Sequence, residues 1–269
     1  MILVEKNKYI YCYGDIPFFL KYDIYKNFWA AIKYDPSSHY QGTLRYPSIT
    51  KVGSQPNDSD ILLLTGGVQL NTGEPVSDVY RINASTAPSL LLKLSDMNSR
   101  RFGHCSVDIK GTLFVFGGFC HSEGSHQPPK SLSLCEKYSI EMDLWSPIKP
   151  MRYARAYGSA CAVKNLNYVY VFGGLEDHVM LSSIEQYDVM LDMWTELNIV
   201  MPSRIIKFGC VAINSSEIII SGGIYSDTKN EQFSYVNSAY KLDLYTNKWT
   251  VLPKMNTRRV LSHSLPFTP

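Results

Sequence analysis

The sequence predicts an all-β chain assembled from repeats of about 50 residues, each forming one four-stranded sheet. Three observations predict it. The first is an apolar run ending in two glycines. Tyr168-Val169-Tyr170-Val171-Phe172-Gly173-Gly174 has close copies in Leu113 to Gly118, Ile218 to Gly223 and Ile61 to Gly67, and a worn copy in Tyr9 to Asp15. Alternating aromatic and β-branched residues favour a strand, and paired glycines favour a turn that other residues tolerate poorly. The leading glycines stand at 14, 66, 117, 173 and 222, giving intervals of 52, 51, 56 and 49 residues. The second observation is a Tyr followed seven residues later by a Trp, at Tyr22 and Trp29, Tyr138 and Trp145, and Tyr187 and Trp194. In the last unit Leu242 stands in the tyrosine's place before Trp249. The third is a Met, an Arg and a small apolar run upstream of the glycines, from Met97 to Val107, Met151 to Val163, Met201 to Ile213 and Met255 to Leu265.

On these residues the chain resembles the kelch family of β-propellers, over essentially all 269 residues. Departures are visible. Asp15 replaces a second glycine, Leu90-Leu91-Leu92 stands where a Trp is expected, and the first unit has no Met-Arg head. The resemblance implies four-stranded antiparallel blades around a channel, each burying its faces against its neighbours, with the tryptophans between blades.

Taken in order, and lettered a to d from the channel outward, residues 8–13 read as strand b, 18–24 as c and 28–33 as d. The first unit therefore lacks its a strand. Residues 34–47 read as a polar connection. The second unit runs over 47–95, the third over 97–149, the fourth over 151–199 and the fifth over 201–253, with four strands each. Met255-Asn256-Thr257-Arg258-Arg259 opens another unit, so that 1–33 plus 255–267 make one whole blade and the chain is a single domain of five blades. Closure of this kind removes two open sheet edges. The alternative is part of a six-bladed ring. The longest connections follow the double glycines, at 119–131 and 224–236, and loops on a rigid scaffold are where binding concentrates.

Charged residues make up 19% of the chain and the net charge is +2, which gives no support for nucleic acid or an anionic membrane as partner. The N-terminus meets Glu5 and Lys6 too early for a secretory signal, and no apolar run reaches the roughly 20 residues of a transmembrane helix. A cytoplasmic protein is expected. Of the six cysteines, Cys105, Cys161 and Cys210 recur at similar places in different units, which reads as buried thiols in a reducing compartment.

No G-x-S-x-G, G-x-G-x-x-G, P-loop or H-E-x-x-H motif occurs. Cys120, His121, His126 and Cys135 have zinc-like residue types without a zinc-like spacing and read as a polar loop, so no metal or other cofactor is expected. His104 and His263 read as hydrogen-bonded residues, and Glu176-Asp177-His178 as a solvated turn. The basic heads are more informative. Arg100, Arg101, Arg152, Arg155, Arg204, Lys207, Arg258 and Arg259 fall at one place in successive units. The resemblance implies that they gather at one channel mouth. Arginines there serve two roles, clamping acidic side chains or bracing loops through backbone carbonyls, and the sequence leaves both open.

The function expected is a non-catalytic interaction module, part of a scaffold or substrate adaptor, that binds a partner protein or acidic peptide at the mouth. Arg101, Tyr153, Arg155, Arg204, Lys207, Tyr225 and Arg259 are the expected contacts. The alternative is a propeller enzyme resembling kelch sugar mutarotases or metal-dependent kelch enzymes.

Overall fold

The computed structural model describes residues 2–4, 9–12, 19–32, 44–53, 61–85, 91–121, 128–227 and 232–260. These form five four-stranded antiparallel sheets. The third is representative: inner strand Cys105–Ile109, then Thr112–Phe116, Cys135–Ser139 and outer strand Leu144–Ile148. The inner strands Ile2–Val4, Ser48–Val52, Cys105–Ile109, Ser159–Val163 and Gly209–Ala212 lie side by side in that order, which is the arrangement of a β-propeller. A 3-10 turn at Lys164–Leu166 is the one helical element among the described residues. No helix there is long and apolar enough to cross a membrane.

The first unit differs from expectation. Tyr9–Cys12, Phe19–Asp23 and Phe28–Ile32 form the three expected strands, but Ile2–Val4 pairs with Tyr9–Cys12 and already supplies the fourth. The expected gap at the inner position is thus corrected. At the other end, residues 255–260 are irregular, and the rest of the expected closing strand, 261–267, lies outside the described residues.

The apolar core is a series of layers between successive sheets. Leu63 and Val79 of the second sheet meet Leu113, Val115, Tyr138 and Trp145 of the third. Phe114 and Phe116 meet Val169, Val171 and Tyr187 of the fourth. Met97, Met151 and Met201, the heads read in the sequence, are buried within these layers.

The recurring residues have a shared geometry. Seven residues from Tyr to Trp make a cross-strand pair closed by a tight turn: Tyr22 faces Trp29, Tyr138 faces Trp145 and Tyr187 faces Trp194. Ring centroids lie 4.9 Å apart in all three pairs. The tyrosine hydroxyl donates to the turn residue, Asp143 at 2.5 Å and Asp192 at 2.8 Å, each at positive φ. Three indole N–H groups reach back to the preceding sheet: Trp145 donates to Ser95 O (2.9 Å), Trp194 to Lys149 O (2.8 Å) and Trp249 to Val200 O (2.9 Å). The motif is a latch between sheets. In the second sheet Leu91, opposite Ile82, fills the same place with apolar contact alone.

The double glycines latch in the other direction. Gly67, Gly118 and Gly223 donate to the carbonyls of Arg101 (2.9 Å), Arg155 (2.9 Å) and Arg259 (2.8 Å) at the head of the following unit. A Cβ on Gly222 would stand 2.6 Å from Arg259 O, and φ there is +70°, so close approach and backbone conformation both require glycine.

The five described cysteines outside the first sheet are free thiols. Burial pushes Cys105 and Cys135 up to about 12 from an ordinary value of 9.0. Both stay protonated in the folded protein while the unfolded chain begins to lose these protons near pH 9. Stability is therefore expected to fall as pH rises above 9, by about 1.4 kcal/mol per pH unit for each thiol. Urea midpoints at pH 8 and 10.5 check this. The loss should shrink in a Cys105→Ala, Cys135→Ala double variant.

Candidate functional site

The chain enters the inner strands of the second to fifth sheets through one residue at positive φ each: Tyr46 (55°), Gly103 (61°), Tyr157 (54°) and Lys207 (54°). These residues are joined across sheets. Gly103 N–H donates to Tyr46 O (3.0 Å), Tyr157 N–H to Gly103 O (2.7 Å) and Lys207 N–H to Tyr157 O (2.9 Å). A backbone chain thus passes from sheet to sheet at the channel end of the inner strands. Non-glycine residues at positive φ carry strain, which this continuous hydrogen bonding offsets.

Side chains on this chain form one cluster. The Tyr46 and Tyr157 rings meet edge-on at 5.5 Å, and Lys207 Nζ stands 4.5 Å from the first centroid and 4.2 Å from the second. Gly103 leaves the space that Tyr157 occupies, since a Cβ there would meet the Tyr157 ring at 2.6 Å. Phe102 and Phe119 pack behind at 5.6 Å, and His121 stacks on Phe102 at 6.2 Å. Tyr46 is 45% exposed, while burial raises the Tyr157 hydroxyl above its ordinary range. The result is an ammonium held on two aromatic faces beside flat apolar surface, at the channel end of the inner strands.

The expected arginines do not stand together. Arg101 and Arg155 are buried and belong to the bracing role, which corrects their assignment as partner contacts. Arg155 donates from Nη1 to Gly173 O (2.8 Å) and Ser183 O (3.3 Å), and from Nη2 to Glu185 Oε1 (2.6 Å). Arg101 repeats this with Gly117 O (2.6 Å), Leu134 O (2.9 Å) and Glu136 Oε1 (2.7 Å). The second oxygens of Glu136 and Glu185 accept the backbone N–H of Asn98 and Arg152, at 2.8 and 2.7 Å. With guanidinium and carboxylate committed inside the sheet, no surface is left for a ligand.

The pairing varies between sheets in a consistent way. Where the third and fourth sheets have Arg101 with Glu136 and Arg155 with Glu185, the second has Leu44 with Tyr80 in one apolar cluster. The fifth has Ile205 packed with Tyr240. Arg204 therefore falls one residue before the buried position and is exposed. Arg259 is in the buried register, but Leu20 of the first sheet occupies the glutamate's place in the strand ladder, and Arg259 is exposed. Tyr153 is half-buried and its hydroxyl donates to Glu196 at 3.3 Å. Tyr225 is exposed on the loop strand Ile224–Asp227. Of the expected contacts only Lys207 belongs to the aromatic cluster. Tyr46, Phe102, Phe119, His121 and Tyr157 were not expected there.

Of the four residues with zinc-like types, Cys135 is buried with Cys105 in the layer between the third and fourth sheets, and its thiol donates to Ser133 O at 3.2 Å. Cys120 is half-buried and its thiol donates to His121 O at 3.2 Å. His126 lies outside the described residues. Among the described residues no three His, Cys, Asp or Glu side chains are grouped to hold a metal ion.

A family model described as the KLHDC2/KLHL20/DRC7 Kelch-repeats domain matches residues 49–265. The chain is also similar to Kelch-like protein 25 of Homo sapiens, 32% identical over 175 residues, which are 64% of this chain and 28% of that protein. The proteins of the same name in Rattus norvegicus and Mus musculus are 33% identical over 176 residues, with the same 64% and 28% coverage. The match thus spans little more than a quarter of these relatives. Since the family model covers most of the chain, and the glycine, Tyr–Trp and Met-headed latches recur from sheet to sheet, the chain belongs to the kelch-repeat family.

Proposed function

We propose that this chain is a protein-interaction module that binds an acidic peptide segment of a partner at the channel mouth, with Lys207 as its central contact. Kelch repeats commonly serve as interaction modules, and the named relatives are kelch-like proteins. The observation that carries the reading is the seat of Lys207. Its ammonium stands over two ring faces, 4.5 Å from the Tyr46 centroid and 4.2 Å from the Tyr157 centroid, so that cation and flat aromatic surface are presented together. A carboxylate or phosphate reaching it forms a charge-assisted hydrogen bond, while Tyr46 supplies rigid contact area beside it. Arg204 and Arg259 add exposed positive charge on the heads around it. Arg101 and Arg155 have no part in this reading.

The test is a titration of an acidic partner peptide against Lys207→Ala, Lys207→Met and the wild type. Removing the ammonium should weaken binding about ten- to a hundredfold, as loss of one charged hydrogen bond does. The melting temperature should barely move. Binding should also weaken with salt in the wild type and much less so in the variants. Unchanged affinity in both variants would refute the mouth as the recognition site.

A further inference from the structure

On the mouth side each of the second to fifth units adds a small second tier of pairing beyond its double glycine. Leu44–Arg45 pairs with Val68–Gln69, and Val68 bridges to Pro75. Phe102 bridges to Phe119, whose strand pairs with Lys130–Ser131. Ala156 bridges to Leu175, and Leu175–Glu176 pairs with Val179–Met180. In the fifth unit Ile205–Ile206, Ile224–Asp227 and Gln232–Tyr235 make a three-stranded sheet.

The outer strand of each tier presents an edge, and an open edge is a template for another strand. Three of the four are blunted. Pro75 has no N–H to offer. Ser131 N–H donates to Asp177 Oδ1 at 3.0 Å, and Asp177 N–H returns a bond to Ser131 Oγ at 2.9 Å. Val179–Met180 is two residues long. Gln232–Tyr235 is four residues long, and among the described strands it pairs on one side alone, with Ile224–Asp227. Tyr225 is paired with Ser234, and Val236 N–H donates to Gly223 O at 3.0 Å. The alternation of an antiparallel ladder then turns the N–H and C=O of Phe233 and Tyr235 outward. Their side chains are 70% and 58% exposed. Arg259 N–H donates to Val236 O at 3.3 Å, so the exposed Arg258 and Arg259 flank the end of this edge.

We propose that the Gln232–Tyr235 edge receives an extended peptide as an added β-strand, with carboxylates toward Arg258 and Arg259 and apolar side chains beside Phe233 and Tyr235. Main-chain bonds give affinity in such additions and alternate side chains give selectivity. An acidic peptide complements the two guanidiniums. A second copy of this chain would instead bring the same arginine pair to the shared edge, like charge against like. The inference rests on the reading of the partner as an acidic peptide and states how its backbone is held.

The probe is a labelled seven-residue peptide of alternating glutamate and valine, titrated by fluorescence anisotropy against the full chain. N-methylation of alternate peptide amides should weaken it about tenfold or more, since each lost amide bond is a main-chain contact. Arg259→Glu should do the same, and exchange of the Phe233 and Tyr235 amides should slow when the parent peptide binds. If neither set of N-methylated positions weakens binding and Lys207→Ala abolishes it, the edge is overturned and the mouth reading stands. If N-methylation weakens it and Lys207→Ala does not, the edge stands and the mouth reading falls. Losses in both support a peptide spanning the two. No binding of the parent peptide, or a peptide-independent dimer in sedimentation that itself protects these amides, overturns the proposal.

Discussion

Arg155→Ala should be among the most damaging single changes in this protein, and the damage should be to folding. The guanidinium is buried, with Glu185 at 2.6 Å and the carbonyls of Gly173 and Ser183 and the Ser183 hydroxyl as its other partners. Its removal strands a fully buried carboxylate and those carbonyls, at a cost of about 3–5 kcal/mol. The protein contains its own remedy. The fifth sheet builds the same position with Ile205 and Tyr240, and the second with Leu44 and Tyr80. Arg155→Ile combined with Glu185→Tyr should therefore recover most of the loss, because an apolar pair of similar volume needs no desolvated charge. Urea denaturation of the single and double variants decides it. A double variant no more stable than Arg155→Ala would show that the pair does more than fill and satisfy the site. Any binding defect of the single variant should track its unfolded fraction, in contrast to Lys207→Ala, which should bind poorly while fully folded.

The sequence made the sheets legible because their signals are local. A double glycine marks a turn whose backbone must pass against the next head, and a seven-residue Tyr–Trp interval is a cross-strand pair closed by one tight turn. The Tyr and Trp lie within a few positions of each other, and a glycine pair announces its turn by its own backbone freedom, however distant the carbonyl it later meets. Arg155 and Glu185 are 30 residues apart, and Arg101 and Glu136 are 35 apart, so the partner that decides the arginine's role sits two strands away. The substitution of both members together, to Leu and Tyr or Ile and Tyr, was the available signal. The mouth was harder. Tyr46, Gly103, Tyr157 and Lys207 share a backbone conformation and a hydrogen-bonding role, not a side-chain type, and positive φ at three non-glycine residues has no composition cue. Ile2–Val4 was missed for another reason: three residues are too few for an alternating pattern to register.

Trp145→Ala should cost about 3–5 kcal/mol, while Trp29→Ala should cost under about 1 kcal/mol, although the two indoles sit in the same local motif. Each stacks on its tyrosine at 4.9 Å. What differs is the neighbour. Trp145 is 7% exposed, packs among Leu63 and Val79 of the second sheet and Met97 at the head of its own unit, and donates to Ser95 O, so truncation opens a cavity and orphans a carbonyl. Trp29 is 46% exposed, and its indole N–H meets no acceptor among the described residues. If burial between sheets sets the energy of the motif, the two variants will separate widely in chemical denaturation. Equal losses would mean that the first sheet packs its tryptophan in solution against a surface as close-fitting as the one the second sheet gives the third. In that case the Tyr–Trp pair would owe its stability to the same inter-sheet latch at both ends of the chain.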